Sequence, residues 1–198
     1  MNAYFEEMFR VLEDSVASMD EAAYEELLQQ CEETIRQGGK VIASGLGKNV
    51  PICEKFVGTL NSLGIDARFL HTNTAVHGDL GMVGDKDLVI LLSKGGNTIE
   101  TVQLAQYLKT RRTPTWLLTF SYTAKSAEYV DNQLILSLEN EGDDWDIVPN
   151  NSTTVNLMIL QGIAIELGRR LGITLEDFKK NHPGGGIGAR LRGEQIWK

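Results

Sequence analysis

Apolar residues recur every three or four positions along the first part of the chain, and then the rhythm changes. Phe5, Met8, Phe9, Leu12, Val16 and Met19 fall on one face of a helix. Asp20 is placed to cap a second helix, where Tyr24, Leu27, Leu28, Cys31 and Ile35 repeat the pattern until Gly38 and Gly39 end it. From Lys40 onward the apolar residues come in short runs: VIAS at 41–44, ARFL at 67–70, LVILLS at 88–93, TWLLTF at 115–120 and QLILSL at 133–138. Most intervals hold a helical pattern, as with Ile99, Val102, Ala105 and Leu108, and a long helix is predicted from about Ser152 to Leu171. The 88–93 run is apolar on both faces of its pleat, as a strand covered on both sides must be.

Strands alternating with helices predict a three-layer α/β fold. Its sheet is open, five-stranded and mainly parallel, with helices on both faces and two helices ahead of it. No repeat or linker divides the chain, so 1–198 reads as one domain. It has a helical segment at 1–39, an α/β core at 40–180 and a tail at 181–198 that is Gly-rich and then basic.

Composition narrows the partners. A chain of 198 residues, 42% of them hydrophobic, can bury a core without disulfides or metals. A net charge of −8 argues against nucleic acid, and any anionic ligand must be held by a local site working against that field. No apolar run approaches the roughly 18 residues that span a bilayer. The start MNAYFEEMFR is no signal peptide. Cys31 and Cys53 are expected as buried thiols, so the chain reads as cytoplasmic, with no membrane partner.

In open parallel sheets, ligands bind beyond the carboxyl ends of the strands, so the loops after each strand are where chemistry is sought. ASGLGKNV follows the first. It is not a Walker loop, because Ile42 and Asn49 stand where Gly and Ser/Thr are needed, and Val50 replaces the third Gly of a dinucleotide fingerprint. What remains is Ser44, Gly45 and Gly47 permitting close backbone approach, with Lys48 and Asn49 at a helix start. Lys48 can equally be a solvated lysine beside an ordinary turn. After the third strand comes LLSKGGNTIETV. Gly95 and Gly96 permit a nest of backbone N–H groups, Asn97 is placed to cap a helix beginning at Thr98, and Ser93, Thr98 and Lys94 suit a phosphate. Asn97-x-x-Glu100 also reads as a capping box, which needs no catalysis. His77 sits past the second strand, where Asp79 could orient its imidazole or where His-Gly-Asp could simply be a turn. Ser152, Thr153 and Thr154 open the long helix as caps or phosphate donors. His182 lies in NHPGGGIG, which alone could be a flexible tail.

Taken together, the series SGLGKN, FLHTNTAVHGDLGM, LLSKGGNTIE, PNNSTT and NHPGGGIGARL resembles the SIS (sugar isomerase) domain, a flavodoxin-like fold. The likeness runs from about residue 30 to 192 and is strongest to arabinose-5-phosphate isomerases. HGDLGM and HPGGGIGARL are its specific pieces. Many members carry a C-terminal pair of CBS domains, so this chain is similar to the form that lacks them. The resemblance implies active-site roles for Lys48, His77, Glu100, Glu141 and His182, the last contributed by a neighbouring subunit of a homotetramer. It also implies a phosphate clamp from Ser93, Thr98, Ser152, Thr153 and helix N-termini. There are departures. The family's phosphate loop usually reads Ser-x-Ser-Gly-Glu-Thr/Ser, whereas here Gly95 replaces the second Ser and Asn97 the Glu, and Asn49 stands where Ser is usual.

The implied reaction interconverts an aldose and a ketose phosphate through a cis-enediol, arabinose 5-phosphate and ribulose 5-phosphate being the leading pair. A glutamate, Glu100 or Glu141, moves the carbon-bound proton. His77 or His182 moves protons among the oxygens or opens the ring, and Lys48 stabilises the enediolate. No cofactor is expected. His71, His77 and His182 show no metal-ligand spacing. The alternatives are isomerisation of another sugar phosphate, such as a hexulose 6-phosphate, or a phosphosugar sensor without turnover.

Overall fold

The structure is a computed structural model that describes residues 2–194; the end of the expected tail, residues 195–198, lies outside the described residues. Helices α1 (Ala3–Ala17) and α2 (Glu21–Arg36) precede the first strand. Asp20 caps α2 as expected, its carboxylate accepting from the N–H groups of Ala22 and Ala23. The strands are β1 (Val41–Gly45), β2 (Ala67–His71), β3 (Leu88–Leu92), β4 (Thr115–Thr119) and β5 (Asn132–Ile135). They form one sheet in the order β2-β1-β3-β4-β5, and every pairing is parallel. The last strand is shorter than the run 133–138. Leu136 is still buried and its N–H still donates to the Thr119 carbonyl at the end of β4; beyond it the chain builds the loop that carries Glu141.

The remaining helices are α3 (Asn49–Ser62), α4 (Thr72–Ala75), α5 (Ile99–Arg111), α6 (Asn151–Arg170), α7 (Leu175–Lys180) and α8 (Gly185–Leu191). Alternation along the strands splits the core in two. Leu88, Ile90 and Leu92 face a cluster with residues of α2, α3 and α6, while Val89 and Leu91 face one with α5. The fully buried Trp116 ties α2 to the sheet, its indole N–H donating to Gln30 Oε1 at 2.8 Å. Gly39 is forced by proximity, since a Cβ there would lie 2.1 Å from the Lys86 carbonyl oxygen. Phe5 and Phe9 are about half exposed, so the apolar stripe of α1 is wider than the face that α6 covers.

The sheet order places the topological switch between β1 and β3. The chain leaves β1 through α3 on one face and leaves β3 through α5 on the other, so the two loops part and open a crevice.

Candidate active site

That crevice is a cavity of about 290 Å³, and three helices begin at it: α3 after Lys48, α5 after Thr98 and α6 after Asn150. Gly47, Lys48 and Asn49 line it from the β1 loop, Ser93, Lys94, Gly95 and Thr98 from the β3 loop, and Glu141, Ser152 and Thr153 from the last loop and α6. Three helix N-termini, each the positive end of its dipole, thus face one space.

The β3 loop is built by two fixed contacts. Gly96 has a φ of +63°, and a Cβ there would lie 2.2 Å from the Ala124 Cβ, so only glycine fits. Its N–H donates to Ser93 Oγ at 3.2 Å. The expected cap differs: Thr98, not Asn97, is the N-cap of α5, and no side chain caps this helix. Asn97 turns outward instead, its Oδ1 accepting from the Lys125 N–H at 3.0 Å, so the capping box with Glu100 does not form. The first N–H groups of α5 are thus left uncapped beside Ser93, Lys94 and Thr98, where a phosphate oxygen can take them. Of the two glycines, Gly96 has the left-handed backbone and Gly95 does not.

Glu141 is the most constrained charge in the cavity. Its side chain is 1% exposed, yet Lys94 Nζ lies 2.7 Å from Oε1. Oε1 also accepts from Ser152 Oγ at 2.7 Å, and Oε2 accepts from the N–H groups of Asn150 at 3.0 Å and Ser152 at 2.9 Å. Glu141 therefore caps α6 from a distance. Burial opposes its ionisation, but the Lys94 ammonium and the Ser152 and Asn150 donors outweigh it and hold the carboxyl below its ordinary range. Thr153 Oγ1 donates to the Asn150 carbonyl at 2.9 Å, so the hydroxyls of Ser152 and Thr153 serve the helix start.

The other expected residues either brace the cavity or lie beyond its lining. Ser44 is buried, its hydroxyl paired with that of Thr72 at 2.8 Å. Gly45 keeps α3 close, since a Cβ there would lie 2.8 Å from the Asn49 Cβ. Asn49 spans from the Leu92 carbonyl, at 3.5 Å, to Asn156 Nδ2, at 3.1 Å, tying the β1 loop to β3 and α6. Glu100 is half-buried in the first turn of α5, and its carboxylate has no hydrogen-bond or ion-pair partner among the described residues. His77 is exposed past the end of β2, at the same end of the sheet as the cavity. Asp79 does not orient it, because its carboxylate is engaged by the Thr74 hydroxyl.

His182 is the outlier. It is half-buried in an elbow between α7 and α8, stacked on Phe178 with ring centroids 3.9 Å apart, and Nδ1 lies 2.9 Å from the Phe178 carbonyl oxygen. That elbow packs at the far end of α3, where Asn181 Nδ2 donates to the Ser62 carbonyl. The segment is folded rather than a loose tail. Within one chain, the length of α3, about 20 Å, separates it from Lys48.

Three features were not visible in the sequence: the Lys94–Glu141 pair, the buried Thr101 lining the cavity, and the wall made by Ile147 and Pro149. Asp143 shapes that wall, its carboxylate accepting from the N–H groups of Trp145, Ile147 and Val148. Gly-Asp-Asp at 142–144 is the turn signal that could have found it.

Comparison with known proteins matches residues 34–166 to the family described as SIS domain. Escherichia coli K12 arabinose 5-phosphate isomerase KdsD is 32% identical over 185 residues, covering 93% of this chain and 56% of the relative's length. The chain thus spans little more than half of the curated relatives it matches. A structure from Escherichia coli CFT073, solved in complex with arabinose 5-phosphate, is 29% identical with a TM-score of 0.84 and covers 91% of this chain and 94% of that one. The sugar isomerase domain of an RpiR transcription factor from Sphaerobacter thermophilus shares the fold at 23% identity, with a TM-score of 0.67, covering 86% and 93% of the two chains.

Proposed function

The chain belongs to the SIS domain family, and its curated relatives include phosphosugar isomerases; from that premise we propose that it interconverts arabinose 5-phosphate and ribulose 5-phosphate. The observation that carries the reading is the cavity itself. It joins an uncapped helix start and the Ser93 and Thr98 hydroxyls, which suit a phosphate, to a lysine and a buried glutamate, which suit an enediolate.

The phosphate is held by the α5 N-terminus, Ser93, Thr98 and Lys94, which fixes C1 and C2 within the cavity. A glutamate, Glu100 or Glu141, carries the proton between C2 and C1. Lys48, exposed at the rim with no partner among the described residues, stabilises the enediolate oxygen. His77 or His182 opens the cyclic sugar and moves protons between its oxygens. His182 reaches the site from a neighbouring copy, since its own cavity lies at the other end of α3. The active species is thus a homo-oligomer, taken as a tetramer. The chemistry calls for no cofactor. The free, buried Cys31 and Cys53 suit a reducing cytoplasm, and among the described residues no helix is long and apolar enough to cross a membrane.

A substrate panel tests this reading. Arabinose 5-phosphate is expected to give the highest kcat/KM among pentose and hexulose phosphates. Saturable binding with no turnover of any of them supports the sensor instead, and preference for a hexulose 6-phosphate reassigns the substrate.

A further inference from the structure

Four donors converge on the carboxylate of Glu141, and they are not alike. Asn150 N–H, Ser152 N–H and Ser152 Oγ are fixed by the start of α6. The fourth, Lys94 Nζ, sits on a flexible stem whose side chain is 45% exposed, while its partner is 1% exposed. Lys94 also belongs to the loop whose neighbours Ser93, Gly95 and Thr98 line the uncapped start of α5. The same ammonium therefore stands within reach of two anions, the buried carboxylate and whatever occupies the α5 N-terminus.

We propose that Lys94 is an ion-pair switch: it neutralises Glu141 until a sugar phosphate binds, then transfers to that phosphate, leaving Glu141 Oε1 with Ser152 Oγ as its one donor and a lone pair open to accept a carbon-bound proton. This rests on the isomerase reading above. The driving force is charge. A phosphomonoester dianion at the end of α5 attracts the ammonium more strongly than a single carboxylate already satisfied by three other donors. The consequence is a coupling between binding and basicity. With Lys94 on Oε1, the carboxylate is held as a poor base. With Lys94 withdrawn, one charge and one donor are lost, and its affinity for a proton rises. Occupation of the remote phosphate site thus activates the base only when substrate is present. No bond is broken in this step, since the ammonium exchanges one anionic partner for another and keeps its protons. In this role Lys94 is a binding residue toward phosphate and a positioning residue toward Glu141.

The test follows the Glu141 side-chain carboxyl by carbon NMR in protein labelled at glutamate, its resonance assigned with Glu141→Gln. Titrations run with and without saturating inorganic phosphate, for wild type and for Lys94→Met and Lys94→Arg. Wild-type Glu141 is expected to titrate higher when phosphate is bound. Lys94→Met is expected to start high and to respond less to phosphate, while Lys94→Arg keeps the wild-type pattern. Kinetically, Lys94→Met should raise KM for the sugar phosphate about tenfold or more and move the acid limb of kcat upward in pH, with partial rescue by Lys94→Arg. Circular dichroism verifies that each variant is folded. No phosphate response in wild type, or an equal response in wild type and Lys94→Met, overturns the switch. A clear switch in a protein that turns over no sugar phosphate leaves it standing and overturns the isomerase reading alone.

Discussion

Lys48 and Asn181 mark opposite ends of helix α3: Lys48 precedes its first residue at the cavity, and Asn181 Nδ2 bonds the Ser62 carbonyl at its last turn, at 3.3 Å. His182 follows directly, so one chain cannot bring His182 to its own Lys48. Complementation is the expected result. Lys48→Ala and His182→Ala are each nearly inactive alone. When equal amounts are unfolded and reassembled together, about a quarter of sites regain both residues and activity returns. A mixture as inactive as its parents contradicts a site shared between copies.

His77 is exposed, and its ring has no hydrogen-bond partner among the described residues. His77→Ala should therefore leave unfolding free energy within about 0.5 kcal/mol of wild type while lowering kcat by about 100-fold or more, as loss of a general acid–base group does. Denaturant melts and steady-state rates on one preparation decide it. Equal loss in both makes His77 a structural residue.

The two glutamates should separate. Glu141→Gln puts an amide against two backbone N–H groups and strands Lys94, costing about 2 kcal/mol at neutral pH. The Glu141 carboxyl is depressed in the folded state, so its stabilisation is present above the unfolded pKa and is lost as pH falls through the folded one. The gap between wild type and Glu141→Gln should accordingly shrink in acid. Glu100→Gln, with no hydrogen-bond or ion-pair partner among the described residues to lose, should leave stability at neutral pH within about 0.5 kcal/mol of wild type. Denaturation series across acid and neutral pH measure both.

Gly96→Ala meets both a left-handed backbone and the Ala124 side chain. A loss of about 2–4 kcal/mol is expected, with weaker phosphate binding because Ser93 is tied to the same loop. Calorimetry with inorganic phosphate reads the second effect, and a stable variant with unchanged affinity contradicts the loop assignment.

Burial pushes the Cys31 and Cys53 thiols up to about 12. Neither should react with a thiol reagent in the native protein at neutral pH, and both should react once it unfolds.

The fold was legible because its signals are local. The runs at 41–44 and 88–93 became β1 and β3, and Asp20 caps α2 as its type and place suggest. The site was legible only as a set of loops. Asn97 read as a helix cap because Asn-x-x-Glu is a local signature, but its partner is Lys125, 28 residues away. Glu141 draws its donors from 94, 150 and 152, and no spacing rule brings Lys94 to it. Phe5 and Phe9 fit the helical stripe, yet periodicity records which face is apolar and not how much of it the rest of the chain covers. Long-range contacts between loops carry the chemistry here, and they exist only once the sheet has set the loops side by side.

Enediol isomerisation at the β1–β3 crevice is tested most directly by proton NMR of arabinose 5-phosphate in deuterated buffer, with wild type and His77→Ala. Ribulose 5-phosphate is expected to appear with solvent deuterium at the carbon that was protonated, and both signals are expected to be lost in the variant. Saturable binding with no product and no exchange would contradict it.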